Sequence, residues 1–224
     1  MRYLAKQFAG DNSFSRNSDH FVNYVQESFL DTAKGNDTII NRATNSTISS
    51  GAGDDYIYNT FANVSINAGA GGDYIFNSAT NTTIDGADGA DTILNTAQSV
   101  VIYGGSNYDS IRNTAQKVNI FAGEGKDTVT NSAINVSISA GDDADYIATS
   151  TKSTVNVGAG DDTIAGSRGN NLFVFDNLKG DNYIRNYNAT DIIYLPDTDL
   201  KSLVTLRSDD CKDAIIKFGN TSIQ

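Results

Sequence analysis

An aspartate recurs every 18 residues along this chain, at Asp37, Asp55, Asp73, Asp91, Asp109, Asp127 and Asp145, and Asp162 follows one residue early. Two positions after each comes an aliphatic residue: Ile39, Ile57, Ile75, Ile93, Ile111, Val129, Ile147 and Ile164. Four positions after the aspartates lies a column of Asn41, Asn59, Asn77, Asn95, Asn113 and Asn131, closed by Thr149. So many columns held in one register mark a repeat architecture. A unit of 18 residues holds two short strands and two turns, too little chain for a pair of helices.

The second half of each unit alternates apolar and polar residues, as in Val64/Ile66, Val100/Ile102, Val118/Ile120 and Val136/Ile138. Period-two alternation puts one row inside and its neighbours outside. One unit alone cannot bury that row, but stacked units can, with each strand about 4.8 Å from its equivalent in the next. The predicted fold is therefore all-β: a right-handed parallel β-solenoid of 18-residue coils with a thin aliphatic core. The Asn column reads as stacked amides bonding along the ladder and to turn backbone.

Aligned on the aspartate, the units read SGAGDDYI (50–57), AGAGGDYI (68–75), AGEGKDTV (122–129) and VGAGDDTI (157–164). Glycines at two alternate positions supply the positive φ of a tight turn. Ala33 and Ala87 replace the first of these glycines, and Asn107 and Asp143 the second, in other units. Turn carbonyls beside a carboxylate compose an oxygen-rich shell of the kind Ca²⁺ takes. The candidate ligands are Asp55, Asp73, Asp91, Asp109, Asp127, Asp145 and Asp162. Carboxylates about 5 Å apart repel by roughly 3 kcal/mol at an effective dielectric near 20, which a bridging cation would relieve. The alternative is that each aspartate accepts hydrogen bonds from backbone N–H groups of its own turn.

These turns resemble the hemolysin-type, or repeats-in-toxin, calcium-binding nonapeptide family, whose motif is G-G-x-G-x-D-x-U-x. Two nonapeptides make one coil in that family, and the resemblance covers roughly residues 33–195, including GSRGNNLFVF (166–175) and GDNYIRNYNATDIIYL (180–195). Only alternate half-coils carry the glycine–aspartate turn; the others read NSATNTTI or NTAQSVVI. The resemblance implies a bacterial secreted or cell-surface setting in which Ca²⁺ orders the repeats after export. The opening MRYLAKQFAGDNS lacks the apolar core of a signal peptide.

Three regions are expected: an N-terminal cap (1–32), the solenoid (33–175) and a closing β segment (176–224). Residues 18–30, SDHFVNYVQESFL, space Phe21, Tyr24 or Val25, Ser28 and Phe29 as a short capping helix would. SLVTLRS and DAIIKFGNTSIQ read as strands, with a hairpin turn at Gly219-Asn220.

Outward positions gather Tyr56, Tyr58, Tyr74, Phe76 and Leu94, with Ile40 before them and Tyr103 and Phe121 on the other side. An apolar stripe of this kind meets another surface: a second copy or segment of this protein, a polysaccharide or a protein partner. A net charge of −11 and a pI near 4.3 argue against nucleic acid and anionic membranes. Catalysis finds little to use. His20 and Cys211 lie at opposite ends of the chain, and the pairs Asp54/Asp55 and Asp161/Asp162 point in alternate directions. A non-enzymatic calcium-binding module for structure, secretion or surface attachment is the leading expectation. A self-assembling fibre or tail element and a glycan-binding accessory domain of a secreted enzyme are the alternatives.

Overall fold

The computed structural model describes residues 18–176, 179–195, 203–207 and 214–218, the last two as strands. In chain order the strands are β1 (His20–Asn23), β2 (Phe29–Asp31), β3 (Thr38–Asn41), β4 (Thr47–Ser49), β5 (Tyr56–Asn59), β6 (Val64–Ala70) and β7 (Tyr74–Asn77). They continue with β8 (Thr82–Asp88), β9 (Thr92–Asn95), β10 (Val100–Ser106), β11 (Ser110–Asn113), β12 (Val118–Glu124), β13 (Thr128–Asn131), β14 (Ser137–Asp142) and β15 (Tyr146–Thr149). The last are β16 (Thr154–Asn156), β17 (Thr163–Gly166), β18 (Leu172–Val174), β19 (Asp181–Arg185), β20 (Ile192–Tyr194), β21 (Leu203–Arg207) and β22 (Ala214–Phe218).

Odd-numbered strands from β1 to β19 form one parallel sheet, and even-numbered strands from β2 to β20 form the other. Each successive pair of strands is one coil of a parallel β-solenoid. The register is the 18-residue period itself: Ile57 pairs with Ile75, Ile75 with Ile93 and Ile102 with Ile120. The core between the sheets is a stack of aliphatic columns, with Ile39, Ile57, Ile75 and Ile93 from one sheet and Ile48, Ile66, Ile84 and Ile102 from the other, all fully buried. Phe173 and Phe175 fill the core toward its C-terminal end. Beyond the coils, β22 adds antiparallel to β19 and β21 antiparallel to β22, extending the first sheet. The hairpin turn expected at Gly219-Asn220 and the cysteine Cys211 lie outside the described residues.

The expected N-terminal helix is not there. Residues 19–31 are the first coil, with β1 paired to β3 as Phe21↔Ile39 and Asn23↔Asn41, and β2 paired to β4 as Leu30↔Ile48. Phe21 and Leu30 are buried at the head of the two core columns. Burial against the neighbouring coil outweighs the local helical spacing, since an isolated helix of about a dozen residues is marginal without packing.

Both kinds of turn use left-handed backbone. At the first glycine position Gly51, Gly69, Gly105 and Gly123 have φ of 100–123°, and Ala33 and Ala87 sit there at 69° and 72°. A Cβ on Gly71 would lie 2.1 Å from the Gly53 carbonyl oxygen, so the coils stack there at backbone contact. The opposite turns place Asn45, Asn63, Asn81 and Asn135 in the left-handed region at 55–60°, where Asn is tolerated better than most residues.

Candidate functional site

The Asn column forms as expected. The Asn23 side-chain NH₂ donates to the Asn41 side-chain carbonyl at 2.8 Å, and the chain of donors runs through Asn59, Asn77, Asn95 and Asn113 to Asn131 at 2.8–2.9 Å. Asn131 passes it to the Thr149 hydroxyl at 3.3 Å. The same NH₂ groups also donate to the Ala43, Ala79, Ala97, Ala115 and Ala133 carbonyls, which accounts for the small residues two positions on. This column ties the polar turn to the core edge.

The Asp column is equally regular. Asp37, Asp55, Asp73, Asp91, Asp109, Asp127, Asp145 and Asp162 are all at most 3% exposed. In each, Oδ1 accepts the backbone N–H of the aspartate in the preceding coil: Asp19 to Asp37, Asp37 to Asp55 and so on through Asp145 to Asp162, all at 2.7–2.8 Å. Asn182 ends the column by accepting the Asp162 N–H at 3.0 Å. Backbone bonds to both neighbouring coils complete the joint, as in Gly53 N–H to the Ala70 carbonyl of the next coil at 2.7 Å and Tyr56 N–H to the Asp37 carbonyl of the coil before at 2.8 Å. The neighbouring aspartates Asp54 and Asp161 lie outside and accept exposed turn amides, Gly72 N–H at 3.0 Å and Asp181 N–H at 2.7 Å.

The second carboxylate oxygen, Oδ2, is buried and without a hydrogen-bond partner at all eight aspartates from Asp37 to Asp162. It faces the residue five positions earlier in the chain. A Cβ on Gly86 would come within 2.4 Å of Asp91 Oδ2, and one on Gly104 within 2.6 Å of Asp109 Oδ2. Elsewhere that column is Ala68, Ala122, Ala140 and Val157, all fully buried, so the free oxygen meets an apolar corner. Thr32 and Ser50 stand at the same place beside Asp37 and Asp55, but each hydroxyl donates its hydrogen to a carbonyl, Thr32 to Ser50 and Ser50 to Ala68, so Oδ2 is unpartnered there too.

Such burial disfavours the carboxylate form. It raises the Asp73 and Asp109 acids to about 7, Asp145 to about 8, and Asp91, Asp127 and Asp162 to about 6, with the amide bond to Oδ1 pulling the other way. Charge from neighbouring aspartates adds to the rise at Asp73, Asp109 and Asp145. Asp37 and Asp55 move up for the same first reason.

Ca²⁺ takes six to eight oxygens. With Oδ1 engaged by an amide, each coil offers one free carboxylate oxygen, turned toward small side chains. Among the described residues no three or more His, Cys, Asp or Glu side chains gather into a group able to hold a metal ion. Along the Asp column these free carboxylate oxygens form a single file.

The outward stripe lies on the first sheet, in β3, β5, β7 and β9. Tyr56 and Tyr74 stack with ring centroids 4.9 Å apart and planes 2° from parallel, and Tyr58 and Phe76 do so at 4.8 Å and 8°. Leu94 follows Phe76 in register. On the other sheet Tyr103 stacks on Phe121 at 5.0 Å. Parallel stacking along the solenoid axis covers ring faces and presents ring edges outward. Along the polar turns runs an open groove of about 630 Å³, lined by Thr96, Gln98, Thr114, Gln116, Ser132 and Ile134, which the expectations above do not include. Its signal in the sequence is the hydroxyl column Thr60, Ser78, Thr96, Thr114 and Ser132, one residue past each Asn from Asn59 to Asn131.

Fold and site together define a parallel β-solenoid whose coils are joined by one buried carboxylate column and one amide column. No family model, curated protein or solved structure matches this chain.

Proposed function

We propose that this chain is a non-enzymatic structural module, a stiff solenoid that spaces or attaches what it is joined to at a bacterial surface or in the extracellular medium. One observation supports it above others: the side chains best suited to chemistry, the eight aspartates and seven asparagines, are engaged in holding coil to coil. Through Oδ1 each aspartate of the column is bonded to the backbone of its neighbour, which keeps the coils in register without a ligand. The test is thermal and urea unfolding with calcium or with EGTA near neutral pH. Coincident curves support the self-contained column.

A second reading has one specific observation in its favour, the eight buried Oδ2 atoms that lack a partner. Each unpartnered buried acceptor costs about 1–3 kcal/mol. Calcium drawn into the file at Asp55, Asp73, Asp91, Asp109, Asp127, Asp145 and Asp162 would relieve that cost, as the resemblance to the nonapeptide family implies. A calcium-dependent rise in melting temperature, lost in Asp109→Asn, is the result that favours it. Glycan binding through the aromatic stripe draws less support, because a pyranose stacks on ring faces and the stacked rings present edges.

A further inference from the structure

In a chain of net charge −11, the outer face of the first sheet is free of carboxylates from β1 to β17, and Asp181 at the start of β19 is the first to appear there. From β1 to β17 the outward residues are aliphatic, aromatic or hydroxyl-bearing, apart from His20 and Arg112. The strands of the second sheet, by contrast, carry Asp31, Asp85, Asp88, Glu124 and Asp142 away from the core. Two copies of an acidic protein can approach closely only where neither presents carboxylates.

The same face is nearly palindromic across its strands. Reading β3, β5, β7 and β9 in order, one outward column is Thr38, Tyr56, Tyr74, Thr92 and the other is Ile40, Tyr58, Phe76, Leu94. A two-fold axis in the plane of contact, along the strands and midway between β5 and β7, reverses the coil order and keeps each column opposite itself. Tyr56 of one copy then meets Tyr74 of the other, Tyr58 meets Phe76, Ile40 meets Leu94, and Thr38 meets Thr92. An isologous contact requires this self-complementarity. Outward ring edges suit two sheets packed face to face about 10 Å apart.

We propose that this face binds a second copy of the chain in a two-fold, face-to-face dimer centred between β5 and β7. The overlap spans β1 to β11, a flat footprint on the order of 400 Å² per copy from strand length and spacing. That is below the ~800 Å² per partner of a standard stable interface, so the association is weak and reversible.

Sedimentation equilibrium of the full chain, from low-micromolar to near-millimolar concentration, tests it. The wild type is expected to pass from monomer to a dimer that grows no further, with added salt favouring the dimer by screening the net charge. Tyr58→Glu and Phe76→Glu, both outward-facing, should weaken the dimer at least tenfold while far-ultraviolet circular dichroism and melting stay near wild type. Phe121→Glu, on the opposite sheet face, should leave it unchanged. A wild type monomeric throughout, open-ended growth into filaments, or equal sensitivity to Phe121→Glu overturns the proposal. Binding of a soluble polysaccharide by a wild type that stays monomeric counts as the first of these.

Discussion

Replacing Asp109 by asparagine should stabilise the protein in mildly alkaline solution and leave it almost unchanged in mild acid. Asp109 is 2% exposed; its Oδ1 accepts the Asp91 N–H at 2.8 Å, and its Oδ2 has no partner. Burial first, and then Asp127 and Asp91, hold its acid near 7 in the folded state. An unfolded aspartate titrates near 3.9. The folded form therefore binds the proton more tightly. Stability from this group is complete below the unfolded value, declines as pH rises, and is lost above the folded one. Each proton taken up on folding contributes a slope of about 1.4 kcal/mol per pH unit. Over the three units from about pH 5 to about pH 8, one isolated site changes stability by about 2.6 kcal/mol. Sharing of protons with adjacent aspartates reduces this to on the order of 1–2 kcal/mol. Asparagine keeps the carbonyl oxygen that the Asp91 amide needs and carries no charge, and Asn182 already fills this role one coil beyond Asp162. Urea unfolding followed by circular dichroism at about pH 5, 6, 7 and 8 measures the effect: the stability gain of Asp109→Asn over wild type should widen by that amount as pH rises. Parallel pH profiles, or a wild type that becomes more stable toward pH 8, would refute the reasoning from burial. Repeating the series with calcium separates the two readings of the column, because only an ion-holding Asp109 makes the asparagine variant the weaker protein at high pH.

Four further outcomes follow from the same geometry. Gly71→Ala sets a methyl 2.1 Å from the Gly53 carbonyl oxygen at a φ of 134° and should cost more than ~1 kcal/mol in urea unfolding, beyond what an ordinary Gly→Ala exchange changes. Ile75→Ala, in a fully buried column, should cost about 2–5 kcal/mol, whereas Thr130→Ala on the outer face should lie within about 0.5 kcal/mol of wild type. Asn95→Leu interrupts the amide file, leaving the Asn77 NH₂ and the Ala97 carbonyl each short of a bond, and should lower stability by roughly 2 kcal/mol or more by the same assay. Deleting residues 73–90, one whole period, should yield a folded, shorter solenoid with a modestly lower melting temperature, because each coil contacts only its neighbours.

The coil architecture was open to reading because strand pairing in a solenoid turns a period in sequence directly into a register in space: Ile57, Ile75 and Ile93 are both one column of letters and one column of side chains. The first coil obeys the same period, with Asp19, Phe21 and Asn23 one step before Asp37, Ile39 and Asn41, yet its local spacing points to a helix. Its apolar residues Phe21, Val25 and Phe29 also fit a helix, and no glycine turn precedes them to favour the strand reading. The inward aim of the aspartates was harder to see, since an acidic residue in a glycine turn is normally solvated. The clue lay five positions upstream, where Ala68, Gly86, Gly104, Ala122 and Ala140 leave only a small space, and that space is where each Oδ2 rests.

The bonds of the aspartate column all point one way. Every coil offers an N–H forward and receives it on the carboxylate of the coil that comes after it in the chain. The last coil of any fragment cut from the C-terminal end is therefore left holding an amide with no acceptor, while a fragment cut from the N-terminal end loses only a donor and gains a carboxylate open to water. A chain emerging from the ribosome meets this asymmetry at each step: its newest coil is always incomplete, and finishing the next one closes it. Asn182 sits where that sequence of dependence stops, and the antiparallel strand β22 pairs with β19 at the same place.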